Sequence, residues 1–485
     1  MNYRIVFGII GKAMIMEALL MLFPMLVGFI YQENTLTCFL VPIIALLAIG
    51  IPLSLIKIKD KLLYVKEGFV SVALVWIVIS LFGAIPFVIE GSIPNYVDAF
   101  FETVSGFTTT GATILASVEN GLISRAVMFW RVFTTFIGGM GVIVFVLAIL
   151  PTDSGSMHIF RAESPGPSAS KLVSKIGRTA RILYLIYLGL TLIELAFLLC
   201  GGMGFYDALL TVFSNAGTGG LYMYDDSIGH FNSLYFELVI AMFMFLFGIN
   251  FNVFYLILIG NVSKALASEE LRAYVIMVVV SVLLIAINLL SVFGNFWTSL
   301  KYSYFQVTSI VSTTGFSSTN FGDWPAFSRL LLSLLMIVGA CGGSTSGGLK
   351  VSRIVILFKS IGCDFKRILN PRAVVTPKLD KKALLKEEES LVKAHFIFWF
   401  LIVVLSVLIL SLDSAHPNDM VASASSVISC IGNVGPAFTS FGWITDFSNY
   451  SSFSKILLSF LMLVGRLEIF PILILFSPRT WKRAG

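Results

Sequence analysis

Four times along this chain a serine stands six residues ahead of a glycine inside a short polar knot. The knots are Ser105-Gly-Phe-Thr-Thr-Thr-Gly111, Ser214-Asn-Ala-Gly-Thr-Gly-Gly220, Ser309-Ile-Val-Ser-Thr-Thr-Gly315 and Ser429-Cys-Ile-Gly-Asn-Val-Gly435. Each follows an apolar run of roughly a dozen residues and precedes a longer one, so the four occupy the same place in successive units. One such spacing would mean little, because serine and glycine are common. Four in register specify a repeat. The units run near residues 69–150, 180–259, 273–357 and 394–477, with two further apolar spans near 4–31 and 37–56.

The environment follows from the apolar runs. Residues are 57% hydrophobic and 12% charged, against roughly a quarter charged in a soluble domain. Runs of about twenty apolar residues recur from end to end, the mark of membrane-spanning helices. The first is too long for a signal sequence and lacks a small-residue cleavage site, so it reads as a retained span. Cys38, Cys200, Cys341, Cys363 and Cys430 are scattered, with neither disulfide nor metal-ligand spacing.

Basic residues cluster at Lys57, Lys59, Lys61 and Lys66, at Arg161, Lys171, Lys175, Arg178 and Arg181, at Lys264 and Arg272, between Lys350 and Lys393, and at Arg479, Lys482 and Arg483. These clusters sit at membrane exits and mark the cytoplasmic side, both termini included. That placement suits topology rather than nucleic-acid binding. The intervening segments carry acids such as Asp98, Asp207 and Asp225, which concentrate cations at the outer face.

The dozen-residue run in each unit is too short to span and reads as re-entrant, with its non-helical end facing protein or water rather than lipid. Each unit then crosses twice, dips once, and begins and ends inside. The expected fold is an all-α polytopic membrane protein: four parallel repeats of spanning helix (M1), pore helix and spanning helix (M2) around a central pore, preceded by two extra transmembrane helices. The chain divides into 1–68 (two helices and a basic loop), 69–150 (repeat 1), 151–259 (cytoplasmic loop and repeat 2), 260–357 (repeat 3), 358–393 (basic segment) and 394–485 (repeat 4 and basic end). Re-entrant helices aim their partly negative C-termini at the central path, which favours a cation there. The glycines, free of a Cβ, permit backbone carbonyls to line that path as a selectivity filter. Thr110 and Gly111, Gly219 and Gly220, Thr314 and Gly315, and Val434 and Gly435 are the candidate ion-binding positions.

Two features lie below that filter. The third M2 run is interrupted by Gly-Ala-Cys-Gly-Gly-Ser-Thr-Ser-Gly-Gly-Leu-Lys, residues 339–350. Gly339, Gly342, Gly343, Ser344, Thr345, Ser346, Gly347 and Gly348 cannot continue a stable helix, and irregular backbone at membrane depth must line protein or a cavity. A phosphate loop is excluded in detail, since Leu349 separates the glycine from Lys350 and no hydroxyl residue follows that lysine. Arg466 stands about ten residues from either end of its apolar run, and such a charge is expected to face a water-filled interior. It reads as an electrostatic barrier in the pore. Lys12, Glu17, Arg131 and Glu194 read as snorkelling or structurally paired charges near span ends or outside the pore domain.

On these residues the chain resembles the Trk/Ktr/HKT superfamily of cation transporters, over essentially its whole length, and is most similar to the TrkH-type potassium uptake subunits. The resemblance implies K⁺ as the transported ion, with glycine at all four filter positions accompanying potassium preference. It also implies an intramembrane gating loop at Gly339–Gly348, an arginine gate at Arg466, a homodimer in the bacterial inner membrane, and a cytosolic nucleotide-binding regulatory subunit of TrkA type. The basic segment before Lys393 could dock that subunit or contact anionic lipid. The filter flanks differ between repeats, which argues against a perfect four-fold ring. The alternative function is a proton- or sodium-coupled potassium symporter using the same filter as a binding site; it would want titratable groups near the filter, and none is evident there. No enzyme is expected, because His158, His230, His395 and His416 fall at loops or span ends, and no nucleotide site, metal site or cofactor is indicated.

Overall fold

The computed structural model describes residues 1–56, 65–119, 121–141, 176–372, 375–413, 419–440, 442–444 and 446–481. The basic clusters at Lys57, Lys59 and Lys61, at Arg161, Lys171 and Lys175, and at Lys482 and Arg483 lie outside these residues, as do His158 and His416. Six described helices are long and apolar enough to cross a membrane: Tyr3–Ile30, Leu36–Ser54, Lys66–Glu90, Ala180–Cys200, Glu269–Phe293 and Lys386–Leu410. The last four are the first spanning helices of the four repeats.

The first two spans pack as a hairpin held by small residues. A Cβ on Gly11 would meet the backbone of Gly50 and Ser54, the Ser54 nitrogen at 2.6 Å. Backbones this close require glycine at the crossing, the usual device where lipid offers no hydrophobic drive between helices. The first span is also broken once, at Met21, three residues ahead of Pro24, where Tyr3–Leu20 passes to Leu22–Ile30.

Each repeat contains a short, largely buried helix: Tyr96–Phe107, Phe205–Gly217, Phe296–Val311 and Met420–Gly432. Three begin on a side-chain cap, Asn95 accepting from the Val97 N–H, Asn295 from Trp297 and Asp419 from Ala422. Such caps answer the orphan N–H groups of a helix start. All four then run into the glycine knots.

The second spanning helix of each repeat differs from expectation. Only the third was expected to be interrupted, but three of the four break within the described residues. The second bends by 92° between Leu234–Phe247 and Phe251–Leu258, at Gly248 and Asn250. The third ends at Val338 and resumes at Val351. The fourth ends at Arg466, passes through Glu468 and Ile469 at positive φ, and resumes as Phe470–Phe476 with Pro471 in its first turn. Proline is tolerated there because a helix start leaves its N–H positions unpaired in any case. The first runs over Arg125–Gly139, and its continuation lies outside the described residues. Two small antiparallel hairpins complete the otherwise helical fold, Lys378–Leu379 with Lys382–Ala383 and Ala437–Thr439 with Gly442–Ile444.

Substituting Gly11→Val should lower stability by about 1–3 kcal/mol, the range for overpacking a close crossing. Thermal unfolding in detergent checks this, with the melting temperature expected to fall; Ala48→Val, outside the Gly11 contact, is the control.

Candidate functional site

The four glycine knots share one backbone. In each, the residue before the glycine donates its N–H to the carbonyl of the knot serine: Thr110 to Ser105 at 2.8 Å, Gly219 to Ser214 at 2.9 Å, Thr314 to Ser309 at 2.9 Å and Val434 to Ser429 at 3.0 Å. The glycines sit at φ of 81°, 66°, 80° and 101°. The residues two places earlier, Thr109, Thr218, Thr313 and Asn433, are also left-handed, at 54°, 55°, 60° and 53°. A β-branched residue in this region is a genuine outlier, and such strain persists only where the surroundings over-determine it. The serines that mark the repeats act through their carbonyls. The hydroxyls of Ser105, Ser214 and Ser429 have no hydrogen-bond partner.

The knots also close on one another. A Cβ on any of the four glycines would lie within 2.7 Å of a carbonyl from another repeat: Gly111 under Gly219, Gly220 under Thr314, Gly315 under Val434 and Gly435 under Thr110. The order is 1-2-3-4 and back to 1. The eight residues singled out as candidate ion positions are therefore the eight that make this ring. As the differing flanks lead one to expect, the ring is not perfectly four-fold, the glycine φ spanning 66° to 101°, although the local turn is alike in all four. The side chains are not: hydroxyl pairs Thr108–Thr110 and Ser312–Thr314, each at 2.7 Å, recur in repeats 1 and 3, where repeats 2 and 4 have Gly217–Gly219 and Gly432–Val434.

On one side of the ring a cavity of about 190 Å³ is lined by all four glycines and by Arg131. Arg131 pairs with Glu102 of the first short helix at 2.6 Å, both side chains almost fully buried. It also donates to the Tyr222 carbonyl at 2.7 Å and the Thr113 hydroxyl at 3.0 Å, while Glu102 accepts from the Ile114 N–H at 2.9 Å. Arg131 is thus structurally paired, one of the two readings given for it, but its partner lies beside the ring, and the expectation of no titratable group there is overturned. Apolar runs hid the pair because its members are separated by 29 positions and meet only when the first short helix packs on its M2. Of the other intramembrane charges, Glu194 accepts from Asn215 at 2.5 Å, and Lys12 is exposed. Both carboxylate oxygens of Glu17 are buried without a partner.

On the opposite side lie Arg466 and the glycine-rich loop. Arg466 ends its helix rather than lying in mid-run, which removes the premise on which its depth was inferred. Its guanidinium donates to the carbonyls of Thr345 at 2.8 Å, Gly139 at 2.7 Å and Gly138, and to the Thr109 hydroxyl at 3.3 Å. One side chain thereby joins the first repeat's glycine knot, the first M2 and the loop of the third. The loop is ordered by similar bonds. Gly342 N–H donates to Glu270 at 2.6 Å, Gly347 N–H to the Thr313 hydroxyl at 2.7 Å, and Phe251 N–H to the Gly343 carbonyl at 3.0 Å. Gly339 packs against Gly347 and Gly348 of the same loop, and Gly347 against the end of the fourth short helix. Ser344 and Ser346 share a hydroxyl bond at 2.7 Å, and Lys350 donates to the Ser346 carbonyl. Arg353 pairs with Glu468 just beyond.

The family described as TrkH, cation transport protein, matches residues 38–483. This chain belongs to that family. It is 35% identical over 493 residues to the Trk system potassium uptake protein TrkH of Salmonella typhimurium, covering 99% of this chain and 100% of that one. To the TrkH protein of Halomonas elongata it is 32% identical over 489 residues, with both chains fully covered. The crystal structure of the potassium transporter TrkH from Vibrio parahaemolyticus superposes with a TM-score of 0.88 at 31% identity, covering 99% of this chain and 100% of that one. The family's all-α membrane fold is the one seen here.

Removing one member of a buried ion pair costs about 3–5 kcal/mol, whereas replacing both by apolar groups is close to neutral. Arg131→Met alone should therefore lower the melting temperature clearly more than Arg131→Met combined with Glu102→Leu. A thermal unfolding series of the three proteins measures the difference.

Proposed function

We propose that the chain carries potassium into the cell through the ring of four glycine knots. The observation that carries this reading is the closed succession of carbonyls over glycines. Backbone oxygens held close together around one path can replace the hydration shell of a K⁺ ion. The four short helices end at the ring, and their C-terminal partial negative charge favours a cation there. The relatives named as potassium uptake proteins support the same substrate. In this reading both termini and the Arg466 side face the cytoplasm and the 190 Å³ cavity faces outside, which the basic clusters support; the bacterial inner membrane is the setting that the resemblance implies. The membrane potential then supplies about 2.3 kcal/mol per charge for each 100 mV.

Below the filter, the loop Gly339–Gly348 and Arg466 form the gate. A unit charge beside the path, at an effective dielectric of about 20, raises a cation's energy by about 3 kcal/mol. Arg466 bonds to the loop at Thr345, so displacing the loop also frees the arginine. The helix Val351–Leu369 runs from the loop to the Lys378–Ala383 hairpin. A cytosolic regulator of TrkA type gripping this basic segment could draw the loop aside. The working unit is a homodimer, as in the resembling subunits.

Coupled symport remains the second reading, because Glu102 beside the first knot supplies the titratable group such a mechanism needs. Glu102 is held by three donors, Arg131, Thr113 and Ile114, a geometry that suits a fixed structural pair.

Purified protein in liposomes tests the reading by K⁺ and Na⁺ flux. Gly315→Ser, whose Cβ would press on the Val434 carbonyl, should lower the K⁺/Na⁺ flux ratio by roughly tenfold, the effect of about 1.4 kcal/mol. Arg466→Ala should raise K⁺ flux at least about tenfold, since most of a barrier of about 3 kcal/mol is removed. Uptake that follows the potassium gradient alone supports a gated pore. Uptake that requires an imposed proton or sodium gradient would sink it in favour of the symporter.

A further inference from the structure

We propose that Glu102 and Arg131 are specificity-determining positioning residues: the pair fixes the outward ends of the first two glycine knots and so holds the ring in the geometry that favours K⁺ over Na⁺. The inference rests on the reading of the ring as the filter. The two side chains meet the chain where it leaves the ring. Glu102 accepts from the Thr113 hydroxyl and the Ile114 N–H, each at 2.9 Å, just beyond Gly111. Arg131 donates to the same Thr113 hydroxyl at 3.0 Å and, across the repeat boundary, to the Tyr222 carbonyl at 2.7 Å, just beyond Gly220. One guanidinium thus links the exits of two knots that already touch at Gly111 and Gly219. The Phe447 N–H of the fourth repeat donates to the Thr113 carbonyl at 2.8 Å, so the network reaches three repeats.

The repeat shows what this position does. Glu102 stands three residues before its knot serine, where the other repeats have Thr211, Gln306 and Ser426. Thr211 shares a bond with the Tyr222 hydroxyl at 2.6 Å and Ser426 with the Tyr450 hydroxyl at 3.0 Å. In three repeats, then, this position ties the short helix to chain outside the ring, by neutral hydroxyls in two and by an ion pair in the first. A buried ion pair is close to neutral in stability against apolar replacements, so stability does not account for its presence. What a planar, fully charged fork supplies is fixed geometry, and a selective site must be held to within about 0.5 Å. Arg131 also lines the cavity over the four glycines. Glu102 offsets its charge there, so the fork braces the knots without repelling an arriving cation.

The test measures K⁺ and Na⁺ flux through the full chain in liposomes, together with its melting temperature. Arg131→Met combined with Glu102→Leu keeps the net charge and is close to neutral in stability. Its K⁺/Na⁺ flux ratio should nevertheless fall by roughly tenfold, the effect of a lost positioning bond at the ring. Thr113→Val removes only the hydroxyl shared by the two side chains and should lower the ratio by roughly threefold; it carries the test if the double variant does not fold. A pair with a merely structural role would move the melting temperature and leave the ratio alone. An unchanged ratio in either folded variant, while Gly315→Ser still lowers it, therefore overturns the proposal and leaves the filter reading standing. An unchanged ratio in Gly315→Ser as well overturns the filter reading, and the proposal with it.

Discussion

Everything in this molecule is arranged around four backbone carbonyls, each lying over the glycine of a different repeat. The contact leaves no room for a Cβ, fixes which repeat neighbours which, and closes only when all four knots adopt the same pair of left-handed residues. Three of those residues are threonines and one is asparagine, none of which takes that conformation without cost. The strain is held by bonds beneath the ring: Arg466 on Thr109, the Gly347 N–H on Thr313, and Asn433 reaching both Thr110 and the Met462 carbonyl at 2.9 Å. The parts proposed as gate are therefore also supports of the proposed filter.

Broken helices follow from the same arrangement. A straight M2 helix would carry its chain past the ring with all its carbonyls spent on itself. The last helical residues of the first M2, Gly138 and Gly139, and Thr345 of the loop supply the carbonyls that take the Arg466 donors. An arginine in a membrane is tolerable only when its fork is answered in this way. The irregular loop is likewise tolerable because it is buried and hydrogen-bonded, not exposed to lipid.

Asymmetry enters through side chains laid on a turn that is alike in all four repeats. Repeats 1 and 3 carry paired hydroxyls at the knot, repeats 2 and 4 carry glycines and valine, and only repeat 1 adds the Glu102–Arg131 pair beside the ring. The differing flanks of the knots leave the turn itself alike, because the shared serine-carbonyl bond sets it. Arg131 is paired, and linear spacing could not show that its partner lies on a neighbouring helix beside the ring.

From residues alone, the repeat, the membrane environment, the short helices and the eight residues of the ring can all be named. Each depends on local periodicity, run length or a backbone need for glycine, and these are written along the chain. Tertiary structure alone decided the order of the ring, the breaks in the second and fourth M2 helices, the four acceptors of Arg466 and the Glu102–Arg131 pair. These rest on contacts between segments far apart in sequence. The third break was visible because five glycines announce it, whereas the fourth was masked by apolar residues on both sides, with Pro471 its one local sign. A charge or a helix end acquires its partner only when the chain closes on itself, and no spacing within one segment encodes that meeting.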